Sequence, residues 1–410
     1  SGDQSLAFKN VLGGICFPLT GSHHVTRVVL TGNNGEKLWG VFNAAYSSGN
    51  PTLTYGSGGG SSVTVSCNLE LTATATNFYV MLPPVVMTNG FTLKVYDGDS
   101  ESDKIYEKST STSITIERNK ILYLGGPDSG SVIEIVVVPE GAIAGAFSVS
   151  ASTKVYFSQG NLQYQASTST WRFAENQWDY VGNASGNTAP SATQSNWIDL
   201  FGWGTSGISD YTPIATCWQP WSTSTDETQY NPYGSTSTNL NSESGKADWG
   251  YNAISNGGNT VNSGWRTLTN AEWGYLFSTR KVTVGGTQKV PYGEGSVNGV
   301  NGVILLPDNW NGSVCSDFTY GISAWSNVFS ESTPTKWSEM ESTGAVFLPA
   351  AGYRGGATVS RAGSYGLYWS STYSSSDYAY RLDFYSGSVH PQGYGYRFFG
   401  QSVRLVCPAE

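Results

Sequence analysis

The chain has few charged side chains and few of the residues that carry out proton chemistry. Charged residues make up 12% of the 410 positions, against about 25% in ordinary globular domains. So few charges exclude a fold built from long, ion-paired helices. Only three histidines are present, His23, His24 and His390, and no HExxH or Ser/His/Asp signature accompanies them. General acid–base catalysis is therefore poorly provided for, and we expect no enzyme.

Long basic or apolar runs are also missing. The net charge is −9 and no Lys/Arg cluster is present, which argues against a nucleic-acid partner because phosphate binding needs concentrated positive charge. The longest apolar run, residues 132–138, is interrupted by Glu134. It is too short to span a bilayer and predicts a buried strand. Residues 1–4 have neither the basic nor the apolar part of an export signal, so we expect any such signal to have been removed or never to have existed.

Cysteines and acidic clusters are sparse. The cysteines form no CxxC pair and have no spacing suited to zinc, which favours buried small hydrophobic residues over a disulfide framework. They are Cys16, Cys67, Cys217, Cys315 and Cys407. The only acidic cluster, residues 97–103, lacks the ligand spacing of a calcium loop and is typical of a solvated hairpin tip. We expect no metal and no cofactor.

Glycine and aromatic residues are abundant instead. The chain has 50 glycines, 25 tyrosines and 14 tryptophans, and its length predicts two or three domains, each with a core of its own. Apolar and polar residues alternate with the period of a strand at 91–96 and 114–117. The segment Asn33-Asn34-Gly35 predicts a hairpin turn between residues 28–30 and 38–39. We predict an all-β sandwich over residues 1–127 and a linker over residues 128–144.

Residues 145–410 differ in composition and predict an α+β domain with long loops. Thirteen of the 14 tryptophans lie here, and we interpret them as core residues that hold the loops. Trp218 and Trp221 are alternative candidates for lining a ligand cleft. A capping box from Thr269 to Glu272 predicts one helix, and a shorter one is predicted over about residues 334–342.

Residues 365–396 are unusually rich in tyrosine. Eight of these 32 residues are Tyr and seven are Ser. Tyr, Ser and Gly dominate antibody paratopes, which indicates a binding face, but an aromatic-rich sheet with one solvated side explains the composition equally well. Strand periodicity places Leu382 and Phe384 on one face, which leaves Arg381, Asp383 and Tyr385 on the other.

Several motifs of this second domain resemble a known family. Its C-terminal frame, with AVFLPAAGYR at 345–354, YWSST at 368–372 and SVRLV at 402–406, is similar to that of C-type-lectin-fold surface proteins of gut bacteria. The upstream motifs WRFA, FGWG and WRTLT at 171, 201 and 265 fit the same family. Several members are variable proteins of diversity-generating retroelements. The resemblance covers about residues 145–410 and implies a C-type-lectin-like domain.

The first domain resembles, more weakly, the fimbrillin-like β-sandwich domains of surface lipoproteins. The similarity rests on VLTGNNG at 29–35 and FYVMLPP at 78–84. It implies either an anchor in the outer membrane of a Gram-negative bacterium or a role in fimbrial assembly. Either role implies an exported protein at the cell surface. If the domain is an outer-membrane anchor, a lipid anchor is expected on a removed N-terminal segment.

The retroelement resemblance implies which positions vary. Randomised adenines turn AAY codons into NNY codons, which never encode Trp, Gln, Glu, Lys or Met. Trp369, Gln392 and Gln401 are therefore expected to be fixed. Gly395 falls within the permitted set, as do the candidate ligand-binding residues, which are Leu367, Tyr373, Ser375, Ser376, Asp377, Tyr378, Tyr380, Arg381, Asp383, Tyr385, Ser388, His390, Tyr394, Tyr396, Phe398 and Phe399.

The favoured hypothesis is a cell-surface receptor or adhesin that displays this face to a protein or glycan ligand on another cell, phage or host surface. One alternative is a fimbrial or adhesive structural subunit without diversification. Another is an enzyme of the formylglycine-generating type, whose general fold is similar but whose chemistry needs closely placed cysteines. A further alternative is a base formed by His390 with Asp383, but no nucleophile motif stands beside them.

Calcium-dependent sugar binding is a further alternative. Sugar-binding C-type lectins carry Glu-Pro-Asn or Gln-Pro-Asp together with Trp-Asn-Asp. This chain has only QPW at 219–221 and NWN at 309–311, which depart from those motifs at the positions that bear the calcium ligands.

Overall fold

The structure is a computed structural model that describes residues 10–47, 50–72, 74–124, 133–134, 138–210 and 218–409. Strands hold 43% of the described residues and helices 9%, so the prediction of a β-rich, multidomain chain is confirmed. Two compact units are present, residues 1–137 and 138–410. Within the described ranges, no helix is long and apolar enough to cross a membrane.

Unit 1 consists of short strands and one 3-10 turn at Glu101–Asp103. In the described part of this unit the strands are β1 (Gly13–Thr20), β2 (His24–Gly32), β3 (Trp39–Ser47), β4 (Asn50–Gly60), β5 (Ser62–Glu70), β6 (Thr76–Leu82), β7 (Val85–Met87), β8 (Phe91–Tyr96), β9 (Lys104–Ser109), β10 (Ile114–Ile116), β11 (Ile121–Tyr123) and β12 (Ile133–Glu134). The strand predicted over residues 132–138 is described only at β12 and otherwise lies outside the described residues.

Two four-stranded sheets of unit 1 share one apolar core. In the first, β1 pairs antiparallel with β6 and parallel with β11 and β12. The second has the order β5-β2-β8-β9. Phe17 and Val80 from the first sheet and Val28 and Leu93 from the second are buried in the same cluster. The period-two patterns at 91–96 and 114–117 are confirmed as strands β8 and β10, and residues 97–103 connect the paired strands β8 and β9, as predicted.

The hairpin predicted around Asn33-Asn34-Gly35 is wrong. A turn is present, with Gly35 at a φ of 72°, but β2 pairs with β5 and β8, whereas β3 pairs with β4. The Glu36 carboxylate accepts hydrogen bonds from the amides of Asn34 and Thr88. These bonds connect the turn to the β7–β8 connection. The chain after the turn then forms β3, which pairs with β4 in another sheet instead of with β2.

Unit 2 combines many short strands with three short α-helices in its described part. The helices are α1 (Ser185–Thr188), α2 (Asn270–Gly274) and α3 (Trp337–Ser342), and a π-turn, Tyr275–Thr279, continues α2. Short 3-10 turns cover Ala166–Thr168, Glu227–Gln229, Pro232–Gly234 and Trp249–Tyr251. The strands are β13 (Ala142–Ser148), β14 (Lys154–Ser158), β15 (Leu162–Gln165), β16 (Thr170–Phe173), β17 (Arg266–Thr267), β18 (Val282–Val284), β19 (Thr287–Lys289), β20 (Tyr292–Val297), β21 (Val300–Leu305), β22 (Asn327–Phe329), β23 (Val346–Pro349), β24 (Tyr353–Gly355), β25 (Thr358–Ser360), β26 (Tyr365–Tyr373), β27 (Tyr378–Tyr385), β28 (Ser388–Tyr396) and β29 (Leu405–Ala409).

These strands form small sheets rather than one large one. Two sheets have four strands, in the orders β13-β14-β29-β17 and β22-β20-β21-β23, and one has three, β26-β27-β28. The remaining strands pair two by two as β15-β16, β18-β19 and β24-β25. Long loops connect them, so unit 2 depends on side-chain packing between the sheets for its stability.

Tryptophan provides much of that packing, as predicted. Five indoles have less than 2% of their surface exposed, namely Trp203, Trp249, Trp273, Trp337 and Trp369. Trp218 and Trp221 pack at the border of the cluster that holds Trp203 and Trp369. Cys16, Cys315 and Cys407 are buried free thiols and Cys67 is a half-buried one, whereas Cys217 lies outside the described residues.

Both predicted helices exist, although one is shorter than expected. The Thr269 hydroxyl accepts a hydrogen bond from the Glu272 amide, and the Glu272 carboxylate accepts one from the Thr269 amide, which completes the predicted capping box. The second helix, α3, begins at Trp337 rather than at residue 334. Its buried face carries Trp337 and Met340, and Gly344 follows its end with a φ of 91°.

Candidate functional site

The tyrosine-rich segment forms the antiparallel sheet β26-β27-β28. A two-residue turn joins β27 to β28, and Gly387 in that turn has a φ of 78°, which favours glycine. The fully buried Glu294 accepts hydrogen bonds from the amides of Gly387 (3.0 Å), Ser323 (3.2 Å) and Ala324 (2.7 Å). A buried carboxylate of another sheet therefore holds the tip of the hairpin.

The register divides the predicted binding residues between the two faces of this sheet. Residues directly opposite each other in an antiparallel pair share a face. Tyr365 pairs with Tyr385 and Leu367 with Asp383, which puts these four on one face. On the other face lie four tyrosines in two opposed pairs, Tyr378 with Tyr396 and Tyr380 with Tyr394.

The prediction of a single face is therefore wrong. Tyr378 and Tyr380 have the same strand parity as the core residues Leu382 and Phe384, because side chains alternate with a period of two. Leu382 and Phe384 are fully buried, but the core ends before the sheet does. Tyr378 and Tyr380 lie beyond the edge of the core. They therefore reach solvent, although they are on the same face of the sheet as the buried Leu382 and Phe384.

The first face contains a cleft of about 270 Å³. It is lined by Tyr353, Arg361, Tyr365, Leu367, Arg381, Asp383 and Phe399. Nη2 of Arg381 lies 3.2 Å from Oδ2 of Asp383, and these side chains are 15% and 20% exposed. Burial lowers the pKa of Arg381, and the neighbouring Asp383 carboxylate opposes that shift.

Stacked rings border this cleft. The ring centres of Tyr365 and Tyr385 are 4.8 Å apart in a stacked arrangement, and the Arg361 guanidinium lies 5.1 Å from the centre of the Tyr365 ring. The rings of Tyr385 and His390 are 6.0 Å apart. Nε2 of His390 is 2.9 Å from the hydroxyl of Ser388, while Asp383 pairs with Arg381. The side chains therefore do not form the hypothetical His390–Asp383 base.

On the second face an aromatic row leads toward the cleft. The row consists of Tyr394, Tyr378, Tyr396, Phe399 and Tyr353, with successive ring centres 5.5, 4.5, 5.7 and 5.1 Å apart. Tyr394 is 61% exposed and Tyr396 38%. Because Phe399 and Tyr353 also line the cleft, the two faces are joined by rings around the end of the sheet.

Hydrogen bonding and packing stiffen this row. A hydrogen bond with Tyr396 raises the pKa of Tyr378 to about 12, so the Tyr378 hydroxyl is neutral at physiological pH. The Phe398 ring stacks on Tyr396 at 5.2 Å and meets Phe399 edge-on at 4.8 Å. These contacts restrict the rings before any ligand arrives, which lowers the entropy that binding has to overcome.

The structure gives the predicted site residues three environments. Leu367 is a correction, because it is only 3% exposed and forms part of the cleft lining instead of an open surface. Tyr373 is half-buried and packs against the tryptophan cluster. The exposed ones are Ser375, Ser376, His390, Tyr394 and Tyr396, and the half-buried ones besides Tyr373 are Asp377, Tyr378, Tyr380, Arg381, Asp383, Tyr385, Ser388, Phe398 and Phe399.

Four residues of this region were not predicted from the sequence. Tyr353, Arg361 and Tyr365 line the cleft, and only Tyr365 lay inside the tyrosine-rich window. The fourth, Arg397, is fully buried between the neighbouring Tyr396 and Phe398. Its guanidinium donates to the carbonyls of residues 230, 236, 375 and 378 and to Oδ1 of Asn231.

Arg397 thereby holds the end of the aromatic row. Its backbone amide donates to the Asp377 carbonyl at 3.0 Å, and its carbonyl accepts from the Trp203 amide at 2.8 Å. Burial lowers the pKa of Arg397 to about 10, so the side chain is still charged at neutral pH. The same residue that anchors the loops of unit 2 therefore fixes the two rings on either side of it.

Within the described ranges, no group of three or more His, Cys, Asp or Glu residues is placed to hold a metal. Burial raises the pKa of Cys315 to about 11 and that of Cys407 to about 12. Both thiols are therefore protonated at neutral pH, and the thiolate is the reactive form of cysteine.

One comparison with known proteins gave a match. Residues 332–406 match the family described as a domain of unknown function, DUF8237. The matched range contains the whole sheet β26-β27-β28, the lining of the cleft and Arg397. No curated protein and no solved structure matched the chain.

Proposed function

We propose that unit 2 is the ligand-binding part of a cell-surface receptor or adhesin. The observation that carries this proposal is the row of solvent-reaching rings that runs into the cleft. Tyr and Phe rings on a surface bury a large area for little lost side-chain entropy, and a contiguous exposed apolar patch on a soluble domain marks an interaction site. The ligand is a protein or a glycan on another cell, phage or host surface.

The proposal extends to a C-type-lectin-like scaffold that is diversified by a retroelement. The motifs at 345–354, 368–372 and 402–406 support the scaffold, as do the small sheets and long loops of unit 2. Diversification is supported by the contrast between two sets of positions. Of the three residues whose codons the mechanism cannot produce, Trp369 and Gln401 are buried and Gln392 is exposed, whereas most positions within the permitted set reach solvent.

Unit 1 is proposed to be a fimbrillin-like stalk that links the binding unit to the outer membrane of a Gram-negative bacterium. A fimbrial subunit is the second candidate function, and one observation favours it. The β3–β4 hairpin exposes apolar side chains, with Trp39 at 55%, Val41 at 60% and Tyr46 at 69% exposure. It also contains no charged residue, and charge is one of the means by which open strand edges avoid association.

A selection experiment tests the receptor proposal. The full chain is panned against a random peptide library on phage and tested on a glycan array, in parallel with the variant Tyr394→Ser/Tyr396→Ser. We expect ligands that the wild type captures and the double variant loses, at an unchanged midpoint of thermal unfolding. Tyr46→Ser is the matched control for an exposed tyrosine outside the site.

Two outcomes contradict parts of this proposal. Equal capture by wild type and double variant means that the aromatic row is not the binding surface. Selective loss of capture in Tyr46→Ser means that the β3–β4 hairpin binds the ligand instead. Diversification has its own test in the gene's neighbourhood. The absence of a reverse transcriptase gene and of a near-identical template that differs at adenines removes that claim and leaves ordinary binding.

A further inference from the structure

The cleft differs from the rest of the protein in its charge. Its lining contains two guanidinium groups, Arg361 and Arg381, and one carboxylate, Asp383. The cleft therefore carries one net positive charge, whereas the whole chain carries −9. In a concave site with apolar walls, such a local excess attracts a ligand of the opposite sign.

The ion pair inside the cleft leaves hydrogen-bonding capacity unused. A single contact joins Nη2 of Arg381 to Oδ2 of Asp383. Among the described residues, neither Nε of Arg381 nor Oδ1 of Asp383 has a hydrogen-bond partner. A guanidinium has five N–H donors and pairs best with a planar anion through two of them, so Arg381 is only partly satisfied by Asp383.

Arg361 offers a second cation at the same cleft. It lies in the turn between β25 and β26 and has a φ of 63°. Its side chain is exposed and its guanidinium lies over the Tyr365 ring. Within the described part of the chain, no acidic side chain lies within 4.0 Å of it.

The remaining lining is apolar or aromatic. Leu367 belongs to it, as do the rings of Tyr353, Tyr365 and Phe399. Rings of this kind bind a flat or aliphatic group by stacking and edge contacts. A volume of about 270 Å³ is at the lower end of ligand-binding clefts, so the space suits one ring-sized group rather than an extended ligand.

We propose that the cleft binds a carboxylate carried on an aromatic or aliphatic body, such as the last residue of a peptide chain. This inference rests on the proposed binding function and adds a ligand class for one end of the surface. One negative charge balances the cleft, and a carboxylate is planar like the guanidinium groups it meets. A phosphate ester carries nearly two negative charges, which exceeds the single net positive charge of the cleft and increases repulsion by the Asp383 carboxylate. A cationic ligand is repelled by the two arginines.

Ligand-observed NMR on the full chain tests this class with three small probes. N-acetylphenylalanine has both the ring and the carboxylate, N-acetylphenylalaninamide lacks only the charge, and acetate lacks the ring. We expect N-acetylphenylalanine to give saturation transfer that titrates to a measurable Kd. The amide is expected to bind at least about tenfold more weakly, since charged hydrogen bonds are the stronger ones, and acetate to bind more weakly than the full probe. Phenyl phosphate, the fourth probe, is expected to bind more weakly than N-acetylphenylalanine.

Two variants locate the binding. Arg361→Gln removes the exposed cation and is expected to weaken binding of N-acetylphenylalanine about fivefold at low salt. Lys281→Gln removes an exposed cation outside the cleft and is expected to leave the Kd unchanged. Circular dichroism of both variants checks that their folds match the wild type.

The results separate this inference from the proposed function. Equal affinity for the acid and the amide, or an unchanged Kd in Arg361→Gln, overturns the carboxylate assignment. If selected peptides still depend on Tyr394 and Tyr396 in that case, the receptor proposal stands without it. Preferential binding of phenyl phosphate overturns the carboxylate as the ligand class and assigns the cleft to phosphate esters.

Discussion

The guanidinium carbon of Arg397 lies 4.7 Å from the centre of a Trp203 ring. Both side chains are fully buried, and the indole nitrogen of Trp203 donates to the Ser370 carbonyl at 2.9 Å. A cation placed over an indole face in a desolvated site is stabilised by the ring's quadrupole. This pair joins the tryptophan core to the two aromatic residues on either side of Arg397, so core stability and site geometry are coupled.

Replacing Arg397 is expected to destabilise unit 2 strongly. Arg397→Met fills much of the same volume but leaves several buried carbonyls without a donor, so we expect a loss of about 3–5 kcal/mol in the free energy of unfolding. Arg397→Lys keeps the charge but not the planar set of donors, and we expect it to lose about 2 kcal/mol or more. Urea unfolding followed by tryptophan fluorescence reports mainly on unit 2, which holds 13 of the 14 tryptophans.

Arg361→Met is the control for an exposed arginine and is expected to change the free energy of unfolding by less than about 0.5 kcal/mol. An Arg397→Met variant as stable as the wild type means that the loop carbonyls find other donors or water, and that Arg397 does not hold the site.

Glu294 is expected to fix the tip of the β27–β28 hairpin. Glu294→Ala leaves three amides without their acceptor and is expected to lose about 3 kcal/mol of stability. In Glu294→Gln the side-chain carbonyl can take the position of Oε2, so the loss is expected to be about 1 kcal/mol. Hydrogen exchange at the Gly387 amide is expected to accelerate more in the alanine variant. Unchanged exchange in both variants contradicts the role of Glu294 as an anchor.

Local sequence patterns predicted many elements of this fold and failed where distant residues decide. The Thr269–Glu272 capping box and strand β8 are set by their own residues, and both are confirmed. The turn at Asn33-Asn34-Gly35 was misread because its partner strands are chosen elsewhere. Glu36 hydrogen-bonds to the Thr88 amide, 52 positions away, and no local pattern reports such a contact.

The tyrosine-rich residues 365–396 form the sheet β26-β27-β28 that carries the candidate site, and whether this sheet binds a ligand stays a prediction. Strand parity already separates Tyr378 and Tyr380 from Arg381 and Asp383, so the two faces of the sheet were within reach of the sequence. Arg361 was not, because it enters the cleft only through the fold. A buried arginine such as Arg397 is rare, and three of its carbonyl partners lie at 230, 236 and 375.

Asp199 is expected to make the stability of unit 2 depend on pH. Burial raises its pKa from 3.8 to about 6, although hydrogen bonds from Asn187 and the Val181 amide oppose the shift. Between pH 4 and pH 6 the folded state keeps the proton that the unfolded state has lost, so stability falls as pH rises through this window. The contribution is on the order of 3 kcal/mol, because each unit of pKa corresponds to about 1.4 kcal/mol.

Asp199→Asn removes this titration. We expect the free-energy difference between wild type and Asp199→Asn to shift by that amount in favour of the variant between pH 4 and pH 7, measured by urea unfolding at each pH. Because the other carboxylates are the same in both proteins, their contribution to the pH dependence cancels in this free-energy difference. A difference that is independent of pH contradicts the raised pKa, as does an NMR titration that places Asp199 near its ordinary value.

Gly395 is expected to control where Arg381 lies. A Cβ at this position comes within 2.2 Å of Nη1 of Arg381, but the guanidinium is the end of a flexible side chain, and Gly395 does not have a positive φ. Gly395→Ala should therefore fold with a loss below about 1 kcal/mol in the free energy of unfolding. It is expected to displace the guanidinium from Asp383 and to weaken binding of N-acetylphenylalanine.

Gly366→Ala is the contrasting case, because its Cβ lies 2.0 Å from the buried Phe384 ring. Overpacking there is expected to lower the free energy of unfolding by about 3 kcal/mol. Thermal unfolding and the NMR titration measure both effects, and an unchanged affinity in Gly395→Ala would show that the position of Arg381 does not matter to the carboxylate.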